Sequence, residues 1–314
     1  MPGTSSTPML RRITVISLFL LLLLRIHGVA ADAGYQLFAR TNLVAWCIVP
    51  FDAKKRGPEE RASMLERLGF TKFAYDYRAE HIPTFDAEMV ALKKHHVQLA
   101  AWWFPTTLNA EGEQILDVLK RHHIRGAQLW VMGGGAPTRN AEEQRTRVET
   151  EAARLRPIAD AAKGIGSSVA LYNHGAWFGD PENQLAIIEK LRASGVTNVG
   201  IVYNLHHGHE HLPRFAEMLA KMKPHLLALN LNGMFADGER SGRKIVPLGQ
   251  GDLDSKLFAV IRDSGWHGPL GILNHTDEDA EGRLQDNLDG LDWLVGQAAG
   301  KIPKPQPRTW RNPN

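Results

Sequence analysis

The strongest constraint in this sequence is a rhythm. From residue 43 onward, short apolar runs alternate with longer amphipathic stretches, eight times over. The apolar runs fall at 43–49, 70–75, 97–104, 128–132, 169–173, 199–204, 226–231 and 270–273. Helical patterns follow at 59–68, 85–95, 111–122, 141–162, 181–193, 212–222, 253–263 and 280–295. The runs are almost continuously apolar, as expected of parallel strands covered on both faces. Eight such units in about 250 residues predict one α/β domain, a closed (β/α)8 TIM barrel. A doubly wound open sheet is the competing arrangement. It would need a Gly-x-Gly-x-x-Gly turn after the first run, and none is there. Gly133-Gly134-Gly135 follows the fourth run but lacks the Lys-Ser/Thr of a phosphate loop.

The domain reading is a signal peptide at 1–31, the barrel at 32–302 and a flexible Pro/Arg/Asn-rich tail at 303–314. Arg11-Arg12 precede an apolar stretch at 13–24, and Val29-Ala30-Ala31 supply small residues for cleavage before Asp32. The stretch is shorter than the roughly 20 residues needed to span a bilayer. Export is therefore expected, periplasmic or secreted, with no membrane contact after cleavage; a retained N-terminal anchor is the alternative. Cys47 is the only cysteine, so no intramolecular disulfide forms, and its apolar setting reads as a buried small hydrophobe. The net charge of +3 comes with no basic patch interleaved with aromatics, so a nucleic-acid partner is not expected. Nothing in the sequence sets the oligomeric state.

Chemistry on such a barrel sits at the C-terminal ends of the strands. Asp76, Arg78, Glu80 and His81 follow the second strand, and Trp102, Trp103 and Phe104 end the third. Tyr172, Asn173, His174 and Trp177 follow the fifth; Asn204, His206, His207, His209 and His211 the sixth. Asn230 and Asn232 end the seventh, Lys244 lies in the loop beyond it, and Asn274 and His275 end the eighth. Asn can bond vicinal hydroxyls, aromatic faces can carry a sugar ring, and His shuttles protons near neutral pH or binds a metal. The mixture points to a polyhydroxylated substrate. Each residue also has a plainer reading: a strand-end Asn is often a turn former, and consecutive His residues cannot all face one centre. Trp102 and Trp103 point to opposite sides of their strand, so only one faces the interior. Lys93-Lys94-His95-His96 and Lys120-Arg121-His122-His123 echo one another at helix ends, on the face where a structural role is expected.

Several segments are similar to the xylose-isomerase-like TIM-barrel superfamily of sugar isomerases and epimerases, which includes the endonuclease IV type. Leu171-Tyr172-Asn173-His174-Gly175 resembles its Leu-Glu-Asn-His-Gly segment, and Asn204-Leu205-His206-His207 its Asp-Thr-x-His segment. Asn230-Leu231-Asn232-Gly233 stands where His-Leu-Asn/Lys-Asp is usual. The turn Gly249-Gln250-Gly251-Asp252-Leu253-Asp254 resembles Gly-Glu-Gly-x-x-Asp. The resemblance implies a divalent metal held by Glu, Asp, His and Glu from the fifth to eighth strands. Here those positions are Tyr172, Asn204, Asn230 and Asn274, so every anionic ligand is replaced.

The resemblance implies an isomerase/epimerase-like enzyme, exported by its N-terminal segment, that abstracts a proton next to the carbonyl of a sugar or keto-sugar derivative. The catalytic candidates are His174 and His207 as acid/base groups, with Asp76 as a reserve base. Asn204, Asn230 and Asn274 would orient hydroxyls or an enediolate oxygen. Trp103 and Trp177 would wall the site, and Tyr172, Asn173, Asn232, His275 and Lys244 complete the expected substrate contacts. No cofactor is assigned. If a metal is bound, it should be zinc or manganese, held by His174, His207 and His275. The alternatives are a non-catalytic carbohydrate-binding barrel, or a lyase or hydratase on oxidised (keto) glycosides.

Overall fold

A closed ring of eight parallel strands positions everything else in this protein. The computed structural model describes residues 35–301 and 306–307. The signal segment 1–31 lies outside the described residues, as does the tail beyond 302 apart from residues 306–307. Strands β1 (Leu43–Trp46), β2 (Lys72–Tyr75), β3 (Gln98–Phe104), β4 (Gln128–Val131), β5 (Ser168–Tyr172), β6 (Val199–Asn204), β7 (Leu226–Leu231) and β8 (Leu270–Leu273) pair in sequence order. The register Val44↔Gly271 and Trp46↔Leu273 seals β1 to β8 and rules out the open sheet. Helices α1 (Pro58–Arg67), α2 (Phe85–Lys94), α3 (Ala110–Arg121), α4 (Ala141–Gly164), α5 (Ala176–Gly179), α6 (Pro181–Ala193), α7 (Phe215–Met222), α8 (Gly238–Ser241), α9 (Asp254–Asp263) and α10 (Ala280–Ala298) follow the strands around the ring.

The interior follows from alternation. Ala74, Ala101, Ala170 and Ala228 face inward and leave room for Trp46, Trp130 and Tyr172 in the same cluster. Trp46 meets Trp130 edge-on at 4.5 Å, and Trp103 meets Tyr172 edge-on at 4.9 Å. The barrel is therefore plugged by aromatic rings beneath its C-terminal mouth. Trp102 points the other way, packing on Tyr75 and Phe85 under the helices.

Among the boundaries that differ from the sequence expectation, two have clear local reasons. β1 stops at Trp46 because Cys47 adopts a left-handed backbone with φ of 57°, so the run cannot continue as strand to 49. The helix expected from 212 starts at Phe215, because Pro213 sits inside a 3-10 turn, His209–Arg214. The repeated Lys/Arg-His-His segments are helix stops, as expected of the N-terminal face. His96 and His123 take φ of 55° and 54°. His95 bonds Glu66 and Glu59 of α1, and His122 bonds Asp86 of α2, so each helix end latches onto the preceding helix.

The Gly249–Asp254 turn is held by one carboxylate. Asp254 accepts from the backbone N–H groups of Met234 (2.7 Å), Gly249 (2.7 Å) and Gly251 (3.0 Å). Gly251 has no room for a side chain: a Cβ there would lie 2.3 Å from Met234 backbone atoms. Asp254→Ala should leave three donors without their partner and lower stability by about 3 kcal/mol or more. Urea unfolding reads this directly; an unchanged midpoint would mean the loop closes without its carboxylate.

Candidate active site

The rim divides into an aromatic floor, a chain of amides, a group of imidazoles and one buried acid. Tyr172 joins the first to the third. Its ring lies 5.7 Å from that of His207 and 6.3 Å from that of His174. Burial, and then the neighbouring Cys47, push its phenol well above the usual range. Trp103 is half-buried against the same inner cluster and reaches a side cleft shared with Arg78 and Glu111.

The amides are tied to one another. Asn173 accepts the Asn204 backbone N–H at 2.7 Å and donates to the Asn204 carbonyl at 3.1 Å. Asn204 Nδ2 donates back to Asn173 Oδ1 at 3.1 Å, and Asn230 Nδ2 donates to Asn204 Oδ1 at 2.6 Å. Asn274 holds its backbone N–H on the Trp46 carbonyl, while neither of its side-chain polar atoms has a hydrogen-bond partner. Asn232 donates to the Gly233 and Lys244 carbonyls and so braces the loop after β7. Lys244 pairs with Glu239 at 2.8 Å in a cleft of about 640 Å³ that His207, His209 and Gly175 also line.

The imidazole rings cluster at tilted angles. The His207 ring lies 4.5 Å from His174 and 3.7 Å from His206, while His275 rests on Phe51 at 3.8 Å. Burial and the cationic forms of its neighbours, His174 first, hold His207 down to about 3. At neutral pH it is therefore an uncharged imidazole, able to donate or accept a hydrogen bond. His206 is more deeply buried, at 2% exposure, and its pKa is lowered well below the usual range by burial; neither ring nitrogen has a partner.

Asp76 is a buried carboxylate just beyond β2. It continues the inward parity of β2, is 2% exposed, and accepts the Val49 backbone N–H at 3.3 Å through Oδ1. Its Oδ2 has no partner. Burial raises its carboxyl from 3.8 to about 7, against the lowering charge of Arg78. Beside it lies Cys47, whose thiol is pushed up by burial and then by the Asp76 charge. The sequence expectation ranked Asp76 as a reserve; burial brings its carboxyl close to neutral pH.

Trp177 is the clearest correction. It sits on α5, donates its indole N–H to Gln144 of α4 at 2.7 Å and lies against the Arg147 guanidinium. It packs in the outer cluster under the helices, away from the barrel mouth, because α5 turns it toward α4. The sequence reading passed over Trp46 and Trp130, whose inward parity opposite alanines was the available signal, and the left-handed Cys47, for which sequence carries none.

The chain belongs to the xylose isomerase-like TIM barrel family, whose profile matches residues 29–295. Among solved structures it is similar to the 3-keto-D-glucoside 4-epimerase YcjR from E. coli (14% identity, 81% of this chain and 98% of that one, TM-score 0.59). It is also similar to the IOLI protein solved with a zinc atom (16% identity, 82% and 99%, TM-score 0.60). A third is the probable 3-DHS dehydratase AsbF from Bacillus anthracis (14% identity, 80% and 98%, TM-score 0.61). No curated protein matches the chain. At these identities the structural likeness speaks for the fold.

A divalent metal in the family's usual position does not fit these residues. Tyr172 is a phenol held neutral, and Asn204 and Asn230 are neutral amides bonded to each other. Replacing carboxylates by amides removes the charge compensation a hard dication needs. Among the described residues, no three of His, Cys, Asp or Glu stand where they could hold an ion, so His174, His207 and His275 do not converge as a ligand set.

Proposed function

We propose that this chain is an isomerase- or epimerase-like enzyme that removes a proton next to the carbonyl of a sugar or keto-sugar, with Asp76 as the base. The observation that carries the reading is the buried Asp76 carboxyl just beyond β2, raised to about 7, with Oδ2 left without a hydrogen-bond partner. A base is most effective when its pKa lies near the working pH. Asp76 takes the proton through Oδ2. The neutral His207 ring donates a hydrogen bond to the oxygen on which charge develops, and needs no proton of its own to give up. Trp103 and Tyr172 supply faces for the sugar ring. The similar structures named as an epimerase of a 3-keto-glucoside and as a dehydratase support this class, since both reactions can begin with the same proton removal.

The same first step serves a lyase on keto-glycosides, and the product distinguishes the two. The test is solvent-deuterium uptake into a panel of keto-sugars, using chelator-treated mature protein. Uptake that persists without metal is the expected result; no uptake on any member would leave a carbohydrate-binding barrel. Export belongs to the proposal, supported by the 1–31 segment. Recovery of the mature chain from outside the cytoplasm, starting near Asp32, is the matching observation, and recovery only of the full chain inside the cell would remove it.

A further inference from the structure

We infer that Asn173 and Gly271 are positioning residues that fix the Asn230 side-chain oxygen as a hydrogen-bond acceptor, so that the ligand must bring a hydroxyl donor to it. The ligand half of this inference rests on the sugar reading above; the orientation half rests on geometry alone.

The direction of the amide chain is set by backbone groups, which have no orientational ambiguity. Asn173 Oδ1 receives the Asn204 backbone N–H, and Asn173 Nδ2 meets the Asn204 carbonyl, so this amide can stand only one way round. Asn204 Nδ2 must then face Asn173 Oδ1, which turns Asn204 Oδ1 toward Asn230. Asn230 Nδ2 fills that acceptor, and its own Oδ1 is left at the end of the chain, buried and without a partner. Flipping any one amide would bring like groups face to face.

Gly271 makes the last position possible. It lies directly opposite Asn230 across the β7–β8 pair, and a Cβ there would stand 1.9 Å from Asn230 Oδ1. The glycine is required for space, since its backbone is not left-handed. An oxygen so placed accepts and cannot donate. A polyol satisfies it with an O–H, whereas a keto group or a deoxy carbon in that place leaves it unpaired.

The orientation is tested by side-chain amide NMR on the isotope-labelled full chain. Each Asn Nδ2 signal is assigned by its loss in the matching Asn→Asp variant. Asn173→Ala should speed hydrogen exchange at Asn230 Nδ2 by about tenfold or more, as expected when a bond worth roughly a factor of ten no longer holds the chain. Asn173→Asp keeps the oxygen that accepts from Asn204 but sets its second oxygen against the Asn204 carbonyl, so it should restore slow exchange only in part. Gly271→Ala should shift the Asn204 and Asn230 Nδ2 signals from the other end, and serves if Asn173→Ala does not fold. Unmoved Asn230 signals in either folded alanine variant would overturn the inference.

The ligand half is read by calorimetry with D-fructose and its monodeoxy and monofluoro derivatives. Fluorine accepts but does not donate, so at one position both replacements should weaken binding about tenfold or more. In Gly271→Ala that discrimination should vanish, with the other positions unchanged. If no sugar binds while the NMR result holds, the sugar reading fails and the orientation stands. If sugars bind but no position rejects both replacements, the hydroxyl requirement is overturned.

Discussion

Asp76→Asn should cut deuterium uptake into a keto-sugar by about 10²- to 10⁴-fold, the usual worth of a positioned base, and should also make the protein more stable at pH 8. The two effects share one cause. Burial raises the Asp76 carboxyl from 3.8 to about 7. Between about pH 4 and pH 7 the folded chain keeps a proton that the unfolded chain has released. Stability therefore falls as pH rises through that window, and the full penalty is present above it. A shift of about three units corresponds to roughly 4 kcal/mol as an upper figure. Asparagine has a similar shape and never ionises, so the variant escapes the penalty. Activity of the native protein should rise with pH through about 7 and level off, and the variant should lack that limb. Uptake that survives Asp76→Asn would remove Asp76 as the base. An unchanged melting temperature at pH 8 would show that the carboxyl is solvated in the folded state.

The barrel was legible because its signal is local and repeated. Strands β6, β7 and β8 begin and end where their apolar runs do, and α6 runs from Pro181 to Ala193 as its pattern predicts. The site was legible only as a ring of candidates. That Asn204 and Asn230 end neighbouring strands could be read from the chain; that Asn230 bonds Asn204, and Asn204 in turn bonds Asn173, depends on register, which only the closed sheet sets. The shifts of the acids and bases were hidden for the same reason. Free histidine titrates near neutral pH and free aspartate does not, so His207 ranked first for proton transfer and Asp76 stood as a reserve base. Burial reverses both, and burial is a property of the assembled mouth. Trp177 was misplaced because its direction is set by α5, a single short turn that no periodicity announces.

The imidazoles should make the fold acid-sensitive, and His206→Leu should relieve part of that sensitivity. His206 is buried at 2% exposure with both ring nitrogens unpartnered, 3.7 Å from the His207 ring. Burial lowers its pKa well below the usual range, and His207 is held down to about 3. In the unfolded chain each ring takes a proton near pH 6.5, which the fold refuses. Unfolding therefore takes up protons below that pH. The stability these neutral rings allow is complete above about 6.5 and is lost as pH falls toward 3. Each ring contributes a slope of about 1.4 kcal/mol per pH unit in that range. Asp76 and Asp254, both raised by burial, act with the opposite sign between about pH 4 and their folded values, so the native curve is a partial cancellation. The comparison that isolates His206 is the variant against the native chain at two pH values. Relative to its standing at pH 8, His206→Leu should gain about 2 kcal/mol at pH 5 in urea unfolding. Leucine fills a similar volume and leaves no unpaired nitrogen, so no large loss is expected at pH 8. An equal difference at both pH values would mean that His206 takes its proton while folded, which requires a partner or a path to water beside it. In that case the cluster would be a chargeable group, and His207, packed against it, could no longer be treated as the neutral donor of the proposed reaction.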